Sequence, residues 1–317
     1  MDEATIIETF FRHLGAVRTD VLLGIGDDAA LLRPPVGLEL VMTTDALVEQ
    51  VHFLPGSAPR SIGHRALAVN LSDLAAMGAA PAWALLSLSL PDTDAEWLRE
   101  FAIGFGRLAR EHEVALVGGN LSRGPVNVTV QLAGFVPAGT ALRRSGGRAG
   151  DAIWVSGTLG DAARGREVDG TGATDPGPKQ LRSRFDFPVP RVALGQALRG
   201  VATACIDLSD GLFADLPRLA AASGCGAVLD LAELPVSEAL RAVAGEQAWQ
   251  VALTGGEDYE LCFTAPVEQS AAVAALASRC EVALTRCGQL RSAAGLELRQ
   301  GGDVIQFSHS PFDHFAP

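Results

Sequence analysis

The sequence predicts a mixed α/β protein of the α+β type, organised as two domains. Strand-like and helix-like stretches alternate before residue 136, and none carries the Gly-x-Gly-x-x-Gly loop of a dinucleotide-binding fold. A glycine- and arginine-rich segment at 136–150 interrupts this alternation, and α/β units resume after it. The 317 residues, 48% of them hydrophobic, suffice for two packed cores. We therefore expect domains at 1–138 and 139–317.

The N-terminal domain is predicted to open with an amphipathic helix at 4–14, where apolar residues recur at helical spacing. A glycine turn at 24–28 carries Asp27 and Asp28 and leads into a short strand. The apolar run 38–42 predicts a buried strand that ends on Thr43, Thr44 and Asp45. Oxygen ligands thus stand where this strand meets solvent, and such ligands suit a hard cation.

A helix is predicted over 61–78, with Asn70 and Asp73 beside its apolar stripe of Leu67, Leu71, Leu74 and Ala75. A strand at 84–90 follows, then a helix from the cap residue Asp94 to about residue 113. Strands at 114–117 and 126–132 complete the domain, the first ending in Gly118-Gly119-Asn120. This order predicts a mixed sheet with helices on one face.

The C-terminal α/β domain is predicted to begin with a strand at 151–156. The Gly/Pro-rich residues 165–184 are interpreted as a mobile loop, and its closure over a substrate is a hypothesis. Two strand-end constructions follow, one with Asp207, Ser209 and Asp210, the other a glycine turn with Glu257, Asp258 and Glu260. Each segment alone could be an ordinary turn, but the repetition of acidic strand ends along the chain favours a common role in binding cations.

The charge balance excludes several partners. The net charge of −12 argues against nucleic acid or an anionic membrane surface as the main partner. The chain has one lysine, Lys179, and no Walker-type or Val-Ala-Ile-Lys lysine motif. If it binds a triphosphate, metal ions and arginines must neutralise that charge.

The cysteines and the N-terminus indicate a cytoplasmic protein. Five cysteines form no Cys-x-x-Cys pair and mostly have apolar neighbours, which predicts reduced, buried thiols. The acidic start Met1-Asp2-Glu3 lacks a positively charged leader, and no apolar run approaches ~18 residues.

Crowded carboxylates repel one another unless cations lie between them, so several acidic points predict several divalent ions. Magnesium is the abundant ion that joins carboxylates to nucleotide phosphates. Phosphoryl transfer needs charge neutralisation and alignment more than covalent help from the protein. The residues by themselves therefore indicate a magnesium- and nucleotide-dependent enzyme.

Six segments carry a resemblance to a known family. They are Gly-Ile-Gly-Asp-Asp-Ala-Ala at 24–30, Thr-Thr-Asp-Ala-Leu-Val at 43–48 with Val-His-Phe at 51–53, Ala-Val-Asn-Leu-Ser-Asp-Leu-Ala-Ala-Met-Gly-Ala at 68–79, Ile-Asp-Leu-Ser-Asp-Gly-Leu at 206–212, Gly-Gly-Glu-Asp-Tyr-Glu-Leu at 255–261 and Phe-Asp-His-Phe at 312–315. In this order they resemble the thiamine-monophosphate kinases of the aminoimidazole ribonucleotide synthetase superfamily. The resemblance implies that superfamily's two-domain α/β fold, a homodimer built on the N-terminal domains, and ATP sites in clefts there.

The resemblance also implies an activity and its residues. ATP would pass its γ-phosphoryl group directly to thiamine monophosphate, giving thiamine diphosphate and ADP, with no catalytic residue beyond metal and positioning groups. It implies magnesium ligands at Asp28, Thr43, Thr44, Asp45, Asp73, Asn120, Asp207 and Asp210. It implies ATP contacts from Gly119, Asn120, Arg144 and Ser209, and contacts to thiamine phosphate from His52, Glu257 and Phe312.

These roles fit the chemistry of the side chains. Phe312 can stack on a cationic ring, Glu257 can balance the aminopyrimidine, and Arg144 offers a planar fork to phosphate. A lone histidine such as His52, between apolar neighbours, also fits ordinary packing. Where the family pattern reads Gly-Gly-Asp-Thr-Thr-Arg-Gly, this chain has Gly-Gly-Asn-Leu-Ser-Arg-Gly at 118–124, and the informative change is that Asn120 replaces the aspartate. We predict weaker or more hydrated magnesium there.

Two alternatives stay open. Another enzyme of the superfamily, such as selenophosphate synthetase, would want a reactive N-terminal cysteine, whereas the first here is Cys205. A non-catalytic nucleotide- or metabolite-binding protein is the second, with Asn120 marking lost activity.

Overall fold

The computed structural model describes residues 1–168 and 175–310, and the chain divides into two compact units. Unit 1 comprises Met1–Leu74 and Ala79–Gly139, and unit 2 comprises Ala75–Gly78 and Thr140–Pro317. This is the two-domain α/β fold expected from the sequence. Within the described part of the chain, no helix is both long enough and apolar enough to cross a membrane.

Unit 1 is organised around a four-stranded sheet. In chain order its elements are α1 (Glu3–Ile6) with a π-helical turn at Ile7–Phe11, β1 (Val21–Leu23), β2 (Leu31–Leu32), β3 (Leu38–Val48), α2 (Pro59–Ala76), β4 (Ala80–Leu90), α3 (Ala95–Glu111), β5 (Ala115–Arg123) and β6 (Asn127–Pro137). The sheet order is β3-β6-β4-β5, antiparallel except for the β4–β5 pair, and β1 pairs with β2 separately.

The two faces of this sheet differ. Leu74 of α2 packs near Gly134, so strand alternation places Leu132, Val130 and their neighbours on the face that α2 covers. The opposite face carries a smaller cluster, with Trp83 and Phe135 in edge-to-face contact at 5.0 Å and Leu32 packed beside them. Helices on one face of a mixed sheet were predicted, and the prediction is confirmed.

Close glycine contacts fix α2 against α3. A Cβ atom on Gly63 would lie 2.2 Å from the Phe101 carbonyl oxygen, and one on Gly104 would lie 1.9 Å from that of Arg60. At these two glycines the helices therefore approach each other backbone to backbone. Asp94 caps α3 by accepting N–H bonds from Glu96 and Trp97, as predicted.

Unit 2 is organised around a seven-stranded sheet. Its elements are β7 (Ala152–Ser156), α4 (Asp161–Glu167), α5 (Pro176–Asp186), α6 (Val192–Leu198), β8 (Ala204–Asp207), α7 (Leu212–Ala222), β9 (Gly226–Asp230), α8 (Glu238–Ala244), α9 (Ala248–Thr254), β10 (Leu261–Ala265), α10 (Ser270–Arg279), β11 (Leu284–Arg291), β12 (Leu296–Gln300) and β13 (Asp303–Ile305), with short 3-10 turns at Leu231–Glu233, Gly245–Gln247 and Val267–Gln269. The described sheet has the order β13-β12-β9-β11-β7-β10-β8, and its only parallel pair there is β9–β12.

The mobile loop predicted at 165–184 is wrong for most of its length. Helix α4 covers its start, and helix α5 covers Pro176 onward; residues 169–174 of that prediction lie outside the described residues. Pro176 occupies the first turn of α5, where a missing N–H costs nothing. A Cβ on Gly165 would lie 2.0 Å from the Leu181 carbonyl oxygen, so this glycine permits close packing of two helices. The glycine and proline content of this segment was taken to predict flexibility, whereas Gly165 permits close helix packing and Pro176 begins a helix.

All five cysteines are free, as predicted. Cys205, Cys262 and Cys287 are buried as predicted, and burial raises the pKa of each of these thiols, whereas Cys225 and Cys280 are only half-buried. The three buried cysteines therefore belong to the core of unit 2.

Candidate functional site

The first candidate site of unit 1 lies where β3 faces α2. Thr43 Oγ1 donates a hydrogen bond to Asp73 Oδ2 at 2.5 Å, so two predicted ligands separated by 30 residues meet. Asp45 stands two residues farther along the same strand, and the unbroken register of β3 on β6 places it on the same face as Thr43. Asp45 is exposed and Asp73 is half-buried. Oxygen donors from two elements therefore converge on this face.

Thr44 points to the other face of the sheet, as strand alternation requires. Its Oγ1 donates to the backbone oxygen of Val130 at 3.1 Å. The adjacent threonines, which sequence alone treats as one ligand pair, thus serve opposite faces.

A second candidate site in unit 1 is a cavity of about 1010 Å³ over that opposite face. Asp28, Gly119 and Asn120 line it together, so the structure unites three predicted residues from the 24–28 turn and β5. Gly119 has φ +150°, and a Cβ atom there would lie 1.8 Å from the Leu86 carbonyl oxygen. The strand can pass Leu86 only with glycine at this position.

His52 is built into the turn that follows β3. Its Nδ1 accepts the Val48 N–H at 3.0 Å, so a neutral ring carries its proton on Nε2. Arg65 donates to the His52 carbonyl oxygen at 3.0 Å, and Arg65 is only 1% exposed. The histidine is therefore oriented by both backbone and side-chain bonds. Sequence analysis missed Arg65, because nothing local marks an arginine in a helix as buried.

The candidate site of unit 2 is formed by two segments that run side by side. Strand β8 pairs with β10, with Asp207 opposite Leu261. Beyond the strands, Glu257 N–H donates to the Ser209 carbonyl oxygen at 2.9 Å, and Tyr259 N–H donates to that of Leu208 at 3.0 Å. The predicted residues Asp207, Ser209, Asp210 and Glu257 are thereby brought to one end of the sheet.

Glu257 is held in an unusual backbone conformation. Its φ is +73°, in the left-handed region that non-glycine residues seldom occupy. The Tyr259 hydroxyl donates to Glu257 Oε2 at 3.2 Å, which directs the carboxylate. The surrounding turn therefore fixes a side chain assigned to substrate contact.

Asp210 belongs to a network that sequence analysis missed. Its N–H donates to Asp215 Oδ2 at 2.9 Å, and Arg218 Nη1 donates to Asp210 Oδ2 at 2.7 Å and to Asp215 Oδ1 at 2.6 Å. Burial raises the pKa of Asp215 to about 6 against the opposing effect of its N–H bonds. The i, i+3 spacing of Asp215 and Arg218 was the available signal.

The other two carboxylates of the 255–261 turn have structural partners. Asp258 accepts the N–H groups of Gly160 at 2.6 Å and Ala162 at 3.1 Å, and so caps the start of α4. Burial raises its pKa to about 7. Glu260 is 0% exposed and accepts hydrogen bonds from Arg184 at 2.7 Å, from Nε and Nη2 of Arg191, and from the Ser156 hydroxyl at 2.6 Å.

The remaining two predicted ligands are Arg144 and Phe312. Arg144 is exposed, and its carbonyl oxygen accepts a hydrogen bond from the Ser223 hydroxyl at 2.9 Å. Phe312 lies outside the described residues.

The donor set suits magnesium bound together with a nucleotide. Among the described residues, no group of three or more His, Cys, Asp or Glu side chains is arranged to hold a metal. Magnesium seldom needs such a cage, because it keeps several waters and binds through one or two carboxylates plus substrate phosphates. The Thr43–Asp73 pair and the Asp207–Asp210 segment supply hard oxygen donors of that kind. The residues present therefore fit the ion chemically.

Known proteins resemble this chain in sequence over nearly its whole length. Family models for AIR synthase related proteins match residues 26–136 (N-terminal domain) and 148–300 (C-terminal domain). The thiamine-monophosphate kinase of Escherichia coli K12 is 45% identical over 321 residues, covering 99% of this chain and 98% of that protein.

Solved structures of related proteins also resemble this chain. The thiamine-monophosphate kinase of Stenotrophomonas maltophilia K279a is 46% identical with a TM-score of 0.86, covering 91% of this chain and 93% of that one. AaThiL complexed with AMPPCP and TMP is 33% identical with a TM-score of 0.79, covering 92% of each chain.

Proposed function

The chain belongs to the thiamine-monophosphate kinase family, and from this membership we infer its function. It is an ATP-dependent phosphotransferase that converts thiamine monophosphate to thiamine diphosphate, with ADP as the second product. The observation that carries this conclusion is 45% identity to a curated kinase of that name over 99% of the chain. A solved relative holds AMPPCP, an ATP analogue, together with TMP.

We propose that Mg²⁺ accompanies the nucleotide and that unit 1 provides ligands for both. When bound, magnesium neutralises phosphate charge and helps align the reacting oxygens. Thr43, Asp45 and Asp73 supply oxygen ligands on one face of the sheet. Thr44, Asp28 and Asn120 supply them on the other, where Gly119 lets the ATP approach the backbone of β5. The support is the Thr43–Asp73 contact and the shared cavity of Asp28, Gly119 and Asn120.

For unit 2 we propose metal ligands at Asp207 and Asp210 and ATP contacts from Ser209 and Arg144. We also propose that His52, Glu257 and Phe312 contact thiamine monophosphate. The bond between Glu257 and Ser209 supports a common site for these segments, since it holds the proposed substrate residue beside the proposed ATP residue. The nucleophile is a phosphate oxygen, so the protein needs no strong base.

We further propose a homodimer formed through the β3 side of the sheet face opposite α2. The β5 side of that face, which carries Gly119 and Asn120, is left to the nucleotide. Apolar side chains on that face are exposed: Leu38 (39%), Leu40 (49%), Met42 (62%) and Leu85 (38%). A second copy would remove them from water. We place the protein in the cytoplasm, since its five cysteines are free thiols.

Full-length protein incubated with ATP, Mg²⁺ and thiamine monophosphate tests the function, with thiamine diphosphate measured chromatographically as its thiochrome. We expect turnover, and we expect Asp73→Asn to lower it about 100-fold by removing a charge that aligns the phosphates. Asp303→Asn, an exposed aspartate at the start of β13, is the matched control and should be unchanged.

Binding of both ligands without any turnover would refute the kinase and favour a non-catalytic binding protein. The selenophosphate synthetase alternative has no support, because Cys205 is 2% exposed in β8 and burial raises the pKa of its thiol.

A further inference from the structure

The contact between Arg218 and Asp210 has no role in the phosphoryl transfer described above. One guanidinium nitrogen of Arg218 bridges two carboxylates, at 2.7 Å from Asp210 Oδ2 and 2.6 Å from Asp215 Oδ1. Asp210 is a proposed magnesium ligand, whereas Asp215 is not. An arginine therefore pairs with a carboxylate that is proposed to bind the metal.

The two carboxylates differ in how firmly they hold the arginine. The Asp215 side chain is 1% exposed, and its second oxygen already accepts the Asp210 N–H. The Asp210 side chain is 31% exposed and that of Arg218 is 46% exposed. A buried carboxylate that lost its cation would be costly, whereas an exposed pair exchanges readily with water and ions. Asp215 is therefore the fixed anchor and Asp210 the releasable partner.

We propose that Arg218 is a built-in counter-cation of Asp210, which it neutralises in the metal-free protein and yields when a divalent cation binds. The inference rests on the proposed role of Asp210 as a metal ligand. It makes Arg218 a positioning residue that sets the divalent ion concentration at which the Asp210 site fills. A metal that must displace a hydrogen-bonded cation binds the free protein weakly.

The competing explanation is that Arg218 only stabilises α7 through Asp215. A purely structural role would change the melting temperature and leave the metal affinity of folded protein unaltered. A counter-cation must affect metal affinity through its charge. The two explanations therefore differ in a binding measurement.

The experiment measures Mn²⁺ binding to full-length protein by electron paramagnetic resonance, without ATP or thiamine monophosphate. We expect Arg218→Met to lower the Mn²⁺ dissociation constant about three- to tenfold, since it removes both the ion pair and the repulsion. Arg218→Lys keeps the charge and should stay near the wild-type value. Arg299→Met is the matched control, because Arg299 is 48% exposed and pairs with Glu297 rather than with either aspartate. Its affinity should be unchanged.

Adding Asp210→Asn to Arg218→Met should abolish the gain. Survival of the gain in this double variant would overturn the proposal, and so would an unchanged or undetectable Mn²⁺ affinity in folded Arg218→Met. If the methionine variant does not fold, Arg218→Gln, which retains a donor for Asp215, carries the same expectation. The binding measurement contains no substrate, so it is independent of the kinase assay. Tighter Mn²⁺ binding by Arg218→Met, together with wild-type protein that makes no thiamine diphosphate, would uphold this inference and refute the kinase.

Discussion

At the scale of single residues, the amide at position 120 is the clearest departure from the family pattern. Asn120 is exposed on β5, in register with Ser87 of β4, and lines the cavity that also contains Asp28. An amide offers a metal one carbonyl oxygen and no charge. For the magnesium ion proposed at this cavity, we therefore expect a larger share of water and phosphate ligands.

We predict that Asn120→Asp lowers the Mg²⁺ concentration for half-maximal activity by about threefold or more, because the added carboxylate attracts the ion. The measurement is initial rate against free Mg²⁺ at saturating ATP. Gln300→Glu adds the same charge on exposed β12 and should leave the curve in place. An unchanged requirement in Asn120→Asp would contradict the prediction.

The three carboxylates of the 255–261 turn show what sequence can supply at this scale. Their type and clustering were evident from the sequence. Their separate tasks were not, because Asp258 is defined by Gly160 and Glu260 by Arg184 and Arg191, partners about 70 to 100 residues away. Only the folded chain distinguishes a capping or ion-pairing carboxylate from one directed at a ligand.

At the scale of elements, Glu260 joins α5, the start of α6 and β7. Arg184 lies in α5, Arg191 immediately precedes α6, and Ser156 ends β7. Desolvation lowers the pKa of Arg191, but the bonds and charge of Glu260 outweigh it, so the pKa is raised. The ion pairs are thus favourable within unit 2.

We expect Glu260→Gln to destabilise the protein by about 3–5 kcal/mol, because it leaves two half-buried arginines without their carboxylate. Urea unfolding followed by circular dichroism measures the change. Glu167→Gln removes a carboxylate from the exposed Arg164–Glu167 pair and should change the free energy of unfolding by less than about 1 kcal/mol. A similar loss of unfolding free energy in the two variants would show that the buried ion pairs stabilise the protein no more than the exposed pair does.

At the same scale, the raised pKa of Asp258 predicts that the stability of the protein depends on pH. Its pKa is raised from 3.8 to about 7 by burial, so the folded state binds more protons than the unfolded state between these values. Its contribution to stability is therefore full below about pH 4 and is lost as pH rises through 7.

Asp258→Asn removes this loss while keeping an oxygen for the Gly160 N–H. We expect its stability relative to wild type to improve by on the order of 2–4 kcal/mol between pH 4.5 and pH 8, measured by urea unfolding. A difference that does not vary with pH would mean that Asp258 stays ionised in the folded protein.

At the scale of the whole molecule, the exposed apolar sheet face predicts association. We expect Met42→Asp to convert a dimer to a monomer in sedimentation velocity, because a carboxylate cannot be buried there without a partner. Val304→Asp, at a 52% exposed valine of β13, should leave the dimer intact. Wild-type protein that sediments as a monomer would refute the proposed homodimer.

The order of elements in unit 1 and its layered arrangement followed from periodicity and caps, because those signals are local. The strand order β3-β6-β4-β5 and the parallel β4–β5 pair did not, since they depend on contacts between distant segments. The same limit explains the sites. The sequence predicted that a buried strand at 38–42 ends on Thr43, Thr44 and Asp45. This is wrong, because β3 continues to Val48 and exposes Leu38, Leu40 and Met42. Only the register showed that Thr43 and Thr44 serve opposite faces.

The backbone contacts of Gly63 and Gly104 extend the functional region beyond any residue that a ligand approaches. One added methyl group at either position would force α2 away from α3. Because α2 carries Asp73, the displacement would travel along the helix to the Thr43 hydroxyl. Selection for phosphoryl transfer would thus also act on Gly63 and Gly104, where the two helices cross. A survey of inactivating substitutions should therefore identify these glycines as well as the aspartates proposed as ligands.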